Sequence, residues 1–221
     1  MTEGILVIDK PDGVTSHDVV ARVRKRFKMK KVGHAGTLDP LATGVLVVLL
    51  GKATKLSNKF TAFDKAYRAT MVLGTKTTTA DKQGEVIEQR PYDAVTPQQL
   101  AEVVGRFRGE IQQVPPMYSA VKHKGRKLYE LARKGIEVER EPRSVTIHKL
   151  LVGEINLPEV KFYVECSKGT YIRQLAADIG DALGCGACIS QIQRTKVGRF
   201  ALEDAVTLED MNEDCIRHWS N

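Results

Sequence analysis

The sequence predicts a single α+β domain, a mixed sheet with helices and loops on its flanks. Three observations carry this. Strand-like and helix-like segments interleave irregularly, with no steady strand-helix-strand alternation of the doubly wound kind. The strand-like segments are short apolar or alternating runs closed by Gly, Pro and Asn turns. Three further segments have the apolar spacing and end signals of amphipathic helices. At 221 residues the chain can bury a substantial core as one domain spanning residues 1–221, and it shows no internal repeat.

Gly4 to Asp9 reads as a buried strand closed by the turn Lys10-Pro11-Asp12-Gly13. A helix follows, because Thr15 and Asp18 have capping-box spacing and Val19, Val20, Val23 and Phe27 then share one face. Gly33 to Pro40 reads as a glycine-punctuated loop, and Val45 to Leu50 as a buried strand. Tyr67 to Leu73 is a further strand, followed by an exposed threonine-rich stretch at Thr75 to Thr79 and a turn at Gln83-Gly84. The next helix is capped by Thr96, with Pro97 in its first turn and Gln99 completing a capping box. Its buried stripe is Leu100, Val103, Val104 and Phe107, and Gly109 ends it. Residues 145 to 166 read as two strands broken near Asn156-Leu157-Pro158, the second alternating at Val160, Phe162, Val164 and Cys166. A last helix, Tyr171 to Leu183, gathers Ile172, Leu175, Ala176 and Ile179 on one side and stops at Gly184.

The formal charge of +7 suits a polyanionic partner, although membrane-surface and simply basic proteins share such values. Residues 22–31 hold seven basic side chains and no acid, whereas residues 203–214 hold six acids and no base. The plain alternative for the basic cluster is a solvated helix face. The longest apolar run, Val45 to Leu50, is too short to span a bilayer, and the start lacks a basic region followed by a long apolar one. No membrane association and a cytoplasmic location are the expectation, and four irregularly placed cysteines fit a reducing compartment.

Cys185-Gly-Ala-Cys188 has the spacing of a zinc or thiol-exchange pair, but no second pair accompanies it. Phosphate-binding and dinucleotide-binding glycine loops are lacking, and the five histidines miss the spacing of a zinc helix. The expectation is therefore no metal and no cofactor. The residues that remain are Asp39 in its glycine-rich loop, Tyr67 opening a strand, and Tyr171 with Arg173 at the start of a helix.

The segment Gly33-His34-Ala35-Gly36-Thr37-Leu38-Asp39-Pro40-Leu41-Ala42-Thr43-Gly44-Val45-Leu46 closely resembles the catalytic motif of the TruB family of tRNA pseudouridine synthases. Further matches follow in family order: Asp9-Lys10-Pro11 with Gly13, Thr15 and Ser16; Asp64-Lys65 with Tyr67; Pro115-Pro116 with Tyr118-Ser119-Ala120; Ser167 to Arg173; and Arg194-Thr195 with Val197-Gly198. The resemblance implies the pseudouridine synthase fold, with a mixed, mainly antiparallel central sheet. It implies isomerisation of uridine 55 in the T-loop of tRNA, with Asp39 as nucleophile. It implies that Tyr67 and Arg173 complete the catalytic set and that His34, Tyr67, Tyr171, Ile192 and Lys10 bind substrate. Ile192 stands where the family usually has leucine, and Gln193 where it has arginine. Relatives often continue into a small RNA-binding domain of the PUA type, which is not evident here.

The chemistry suits these residue types. A carboxylate beside the sugar can attack C1′ or take a proton from C2′ while the N1–C1′ bond breaks, as in glycosidases. It must stay ionised where water is excluded, and Arg173 is the expected partner because a guanidinium grips a carboxylate twice and keeps its charge. Tyr67 offers an aromatic face, and His34 can fill the space left by an extruded base. Lys25, Arg26, Lys124, Arg126 and Arg194 are expected to hold the RNA backbone of the tRNA T-arm. A monomer is expected. Two other readings stay open: a guide-RNA-dependent relative acting on ribosomal RNA, and a non-catalytic RNA-binding protein, which would need none of Asp39, Tyr67 and Arg173.

Overall fold

The computed structural model of the protein describes residues 3–218. In chain order the elements are β1 (Gly4–Lys10), α1 (Ser16–Arg26), β2 (Val32–Ala35), β3 (Thr43–Leu50), α2 (Ser57–Thr61), β4 (Lys65–Leu73), β5 (Thr75–Thr77), β6 (Val86–Gln89) and α3 (Pro97–Arg106). They continue with β7 (Gly109–Gln113), β8 (Lys122–His123), β9 (Arg126–Lys127), α4 (Leu128–Ala132), β10 (Arg143–Asn156), β11 (Glu159–Cys166), α5 (Ile172–Ala182), β12 (Ala187–Val197) and β13 (Phe200–Ala201). Among the described residues no helix is long and apolar enough to cross a membrane.

The chain divides into two compact units, residues 1–68 with 191–221 and residues 69–190. In the first, β3 is the central strand. It pairs antiparallel with β1 from Gly4↔Leu50 to Lys10↔Gly44. Its other edge is shared: β2 takes Val47 to Leu50, and β12 pairs parallel at Gln193↔Thr43 and Arg194↔Gly44. Ile5, Val7, Val45, Val47 and Leu49 alternate onto one face and pack with Phe60 and Phe200 in a core cluster of this unit. In the second unit the order is β4-β11-β10-β7, and the pairs of β10 with β11 and with β7 are antiparallel. The sheet is thus mixed and mainly antiparallel, as the α+β pattern predicts.

Helices whose end signals are local form where expected. Thr15 and Asp18 make a reciprocal capping box on α1, and Thr96 and Gln99 make one on α3. Two segments differ from the sequence reading. Gly33 to Ala35, the start of the segment read as loop, belong to strand β2, because β3 offers an unpaired edge that outweighs weak local strand propensity. Thr75 to Thr77, read as exposed, pairs with β6, and Thr77 is buried with its hydroxyl donating to the Asp81 carbonyl at 2.7 Å.

Candidate active site

Asp39 is half-buried at the turn between β2 and β3, in the first unit. The backbone on both sides of it is pinned by three buried polar side chains. Ser16, the first residue of α1, accepts the Leu38 N–H at 2.8 Å and donates to the Leu38 carbonyl at 3.0 Å. Lys10 is completely buried, and its ammonium donates to the carbonyls of Pro40 (3.1 Å), Pro11 (2.8 Å) and Val14 (2.7 Å). Those three bonds use all three of its donors. The Gly13 N–H adds a second bond to the Pro40 carbonyl at 3.0 Å, and the backbone carbonyl of Asp39 accepts from the Ala42 N–H at 3.0 Å.

Arg194 supplies the third brace. Its side chain, 1% exposed, runs beneath the loop and donates from Nε to Val45 (2.7 Å), from Nη2 to Gly36 (2.9 Å) and from Nη1 to Thr37 (3.4 Å). It also hydrogen-bonds to Tyr67 and feels the charge of Asp39. The β12 backbone comes so close to β3 here that a Cβ on Gly44 would sit 2.3 Å from the Arg194 carbonyl, and the φ of +93° at Gly44 also excludes a side chain.

Electrostatics follow from this burial. Desolvation pushes the Arg194 guanidinium below its ordinary range, while the Tyr67 hydroxyl and the Asp39 carboxylate hold it up. Burial also pushes Lys10 down to about 8, against the pull of Asp12 and Asp39. His34, on β2 opposite Val48, is lowered by burial, then by the charges of Arg194 and His17, so its ring is neutral at pH 7. Its Nδ1 is buried and has no hydrogen-bond partner among the described residues.

The second unit holds another buried cation. Arg173, in the first turn of α5, lies 3.5 Å from the Asp81 carboxylate, with both side chains almost fully buried. Its Nη1 also donates to the Thr79 carbonyl, and Nη2 to the Tyr118 carbonyl at 2.9 Å. Asp81 accepts from Thr79 Oγ1 at 2.7 Å and from the Gln83 N–H at 3.0 Å. Tyr171, half-buried, is the N-cap of α5 and has no side-chain cap of its own. Its N–H is accepted by Gln113 Oε1 at 2.8 Å, and its carbonyl accepts from Gln113 Nε2 at 3.1 Å.

The structure therefore brings Asp39, Lys10, His34, Tyr67 and Arg194 into one neighbourhood and gives two of them tasks other than those expected. Lys10 was expected to bind substrate and Arg194 to hold the RNA backbone. Both are buried, Lys10 with its ammonium on three carbonyls and Arg194 with its guanidinium on three carbonyls and Tyr67, because a loop that turns this sharply leaves inward carbonyls that need donors. Ile192 is half-buried on β12. Lys25 and Arg26 are exposed on α1, although Arg26 Nε also reaches the Met211 carbonyl at 3.3 Å. In the second unit, Lys124 and Arg126 are exposed on the β8–β9 hairpin, whose turn residues Lys124 and Gly125 both have positive φ. Sequence reasoning missed Asp81 and Gln113. The only signal for Asp81 was an acid in a threonine-rich turn, and Gln113 had none.

Cys185 and Cys188 are free and buried, with thiols raised by burial. Among the described residues no three His, Cys, Asp or Glu gather as a metal would require.

Residues 24–172 match the model of the TruB family pseudouridylate synthase N-terminal domain, and residues 173–220 that of the tRNA pseudouridylate synthase B C-terminal domain. The chain is 48% identical to the tRNA pseudouridine synthase B of Clostridium tetani, over 98% of this chain and 75% of that protein. It is 52% identical to that of Alkaliphilus oremlandii, over 94% of this chain and 69% of that one. Among solved structures it resembles a chain of a Cbf5-Nop10-Gar1 complex, at 37% identity and a TM-score of 0.75 over 95% of this chain. This chain spans about half (53%) of that longer protein.

Proposed function

The chain belongs to the TruB family of pseudouridylate synthases, and from that premise we propose that it isomerises uridine 55 in the T-loop of tRNA to pseudouridine, with Asp39 as nucleophile. In this reaction the N1–C1′ bond breaks and a C5–C1′ bond forms. The proton on C5 is lost and N1 gains one, so the product is an isomer and no electrons are exchanged. Asp39 either bonds to C1′ as N1 leaves and is displaced again when C5 attacks C1′, or takes the C2′ proton as N1 leaves and returns it to C2′ when C5 bonds to C1′. Tyr67, buried beside Arg194, stacks on the uracil, and its hydroxyl stands ready for the C5 proton. By the family resemblance, Arg173 and Tyr171 at the start of α5 serve the same reaction. The orphan Nδ1 of neutral His34 offers an acceptor to the rearranged loop once the base has left its stack. Lys25, Arg26, Lys124 and Arg126 hold phosphates.

The observation that carries this reading is the bracing of Asp39. Leu38 and Pro40 flank it, and each is tied to a buried side chain, while Gly36 and Thr37 are tied to Arg194. A protein that only binds RNA has no use for a half-buried carboxylate fixed so rigidly, since a negative charge repels phosphate. A reacting carboxylate does need it, because rate depends steeply on placement.

The test is to incubate Asp39→Ala with an unmodified tRNA transcript and no other protein, then map pseudouridine. Wild type should convert position 55. The variant should fold and bind tRNA but give no product, because its side chain lies in a turn and removes no core packing. Conversion within about tenfold of wild type would remove Asp39 from the role of nucleophile. Wild-type activity that appears only on addition of a guide RNA and partner proteins would favour the reading suggested by the Cbf5 likeness.

A further inference from the structure

Gln113 ends β7 and is 2% exposed, yet it is polar. Its amide makes a two-point contact with one residue, accepting from the N–H of Tyr171 and donating to its carbonyl. That carbonyl also accepts the first helical bond of α5, from Leu175 at 3.0 Å. Helix starts normally satisfy their free N–H groups with a Ser, Thr, Asp or Asn side chain at the N-cap. Tyr171 has no such group, so α5 takes its starting point from a distant strand.

Five residues beyond Gln113, the Tyr118 carbonyl accepts from the Arg173 guanidinium. Residues 113–118 therefore grip the start of α5 twice, once at the backbone of Tyr171 and once at the head of Arg173. Pro115 and Pro116 lie between the two grips, and their fixed φ angles limit how far one can move without the other. We infer that Gln113 is a positioning residue for catalysis: it sets where α5 begins, and so where Tyr171 and Arg173 are presented. This rests on the reading that Arg173 and Tyr171 serve the reaction. Both bonds of the Gln113 amide go to the Tyr171 backbone, so its effect passes through that backbone.

The test compares Gln113→Met, which keeps length and volume but makes neither bond, with wild type and with Arg173→Lys. The readouts are tRNA affinity and the single-turnover rate of pseudouridine formation at saturating enzyme. Gln113→Met is expected to bind tRNA within about threefold of wild type and to react about tenfold to a hundredfold more slowly, the penalty of a small displacement of reacting groups. If Gln113 acts through Arg173, the double variant Gln113→Met/Arg173→Lys should be no slower than Arg173→Lys alone, whereas an unrelated structural defect would multiply the two losses. If Gln113→Met does not fold, Gln113→Glu takes its place. Glu keeps an acceptor for the Tyr171 N–H and loses the donor to a carbonyl that still has Leu175, so it should fold and react more slowly than wild type. A folded variant with a wild-type rate, or a fully multiplicative double variant, overturns the inference. Should Arg173→Lys itself react normally, it is the assignment of Arg173 that fails.

Discussion

Arg194→Lys separates a clamp on the catalytic loop from a cation that merely sits nearby. The guanidinium reaches Val45 and Gly36 from different nitrogens, at 2.7 and 2.9 Å, with a longer third bond to Thr37 at 3.4 Å and a fourth to Tyr67. An ammonium is one point at the end of a flexible stem and can serve one of these two sides. The variant should therefore lose at least one strong charged hydrogen bond and leave a buried carbonyl unpaired, a cost of about 3 kcal/mol. Against a typical total of roughly 5–15 kcal/mol, that is a large but survivable loss. At a urea slope of about 2 kcal/mol/M, the unfolding midpoint should fall by about 1.5 M with the slope unchanged. The freed loop should cost the chemical step about a hundredfold in single-turnover rate, since Asp39 no longer sits on a fixed backbone. Affinity for tRNA should hardly change, because a buried arginine makes no phosphate contact. A midpoint within about 0.3 M of wild type together with a rate within about threefold would refute the clamp. A large loss of tRNA affinity at normal stability would instead return Arg194 to the RNA backbone.

Lys10 makes stability depend on alkaline pH. Its folded value of about 8 lies below the ordinary 10.5, so between these values the unfolded chain holds more protons and stability rises with pH. The gain is up to about 3 kcal/mol at 1.36 kcal/mol per unit, and it should be missing from the stability curve of Lys10→Met; parallel curves for the two proteins would contradict it. Replacing both Lys25 and Arg26 with Ala should weaken tRNA binding and flatten the plot of log affinity against log salt by about 1 to 2 units, leaving the rate of bound substrate unchanged. An identical salt slope would make this part of α1 an ordinary solvated face.

Much of the molecule was legible in the sequence, because its signals are local. Capping boxes at Thr15 and Thr96, the stripe of Leu100, Val103 and Val104, and the alternation from Val160 to Cys166 each lie within one element. The glycine-rich segment around Asp39 is contiguous for the same reason, and it was enough to suggest the chemistry. What tertiary structure alone decided concerns the long polar side chains. Lys10, Arg194 and Gln113 look like surface residues by type, yet all three are buried, on carbonyl or amide groups that the fold brings to them. Arg194 meets Gly36 across 158 positions of sequence, and Gln113 meets Tyr171 across 58. Asp81 likewise became the partner of Arg173 only when the turn after β5 closed over the start of α5. The physical reason is that these side chains bind main-chain groups or one charge among many. Every residue carries a carbonyl, so no spacing of residue types records which one a buried cation will find, and that choice exists only once the strands have paired.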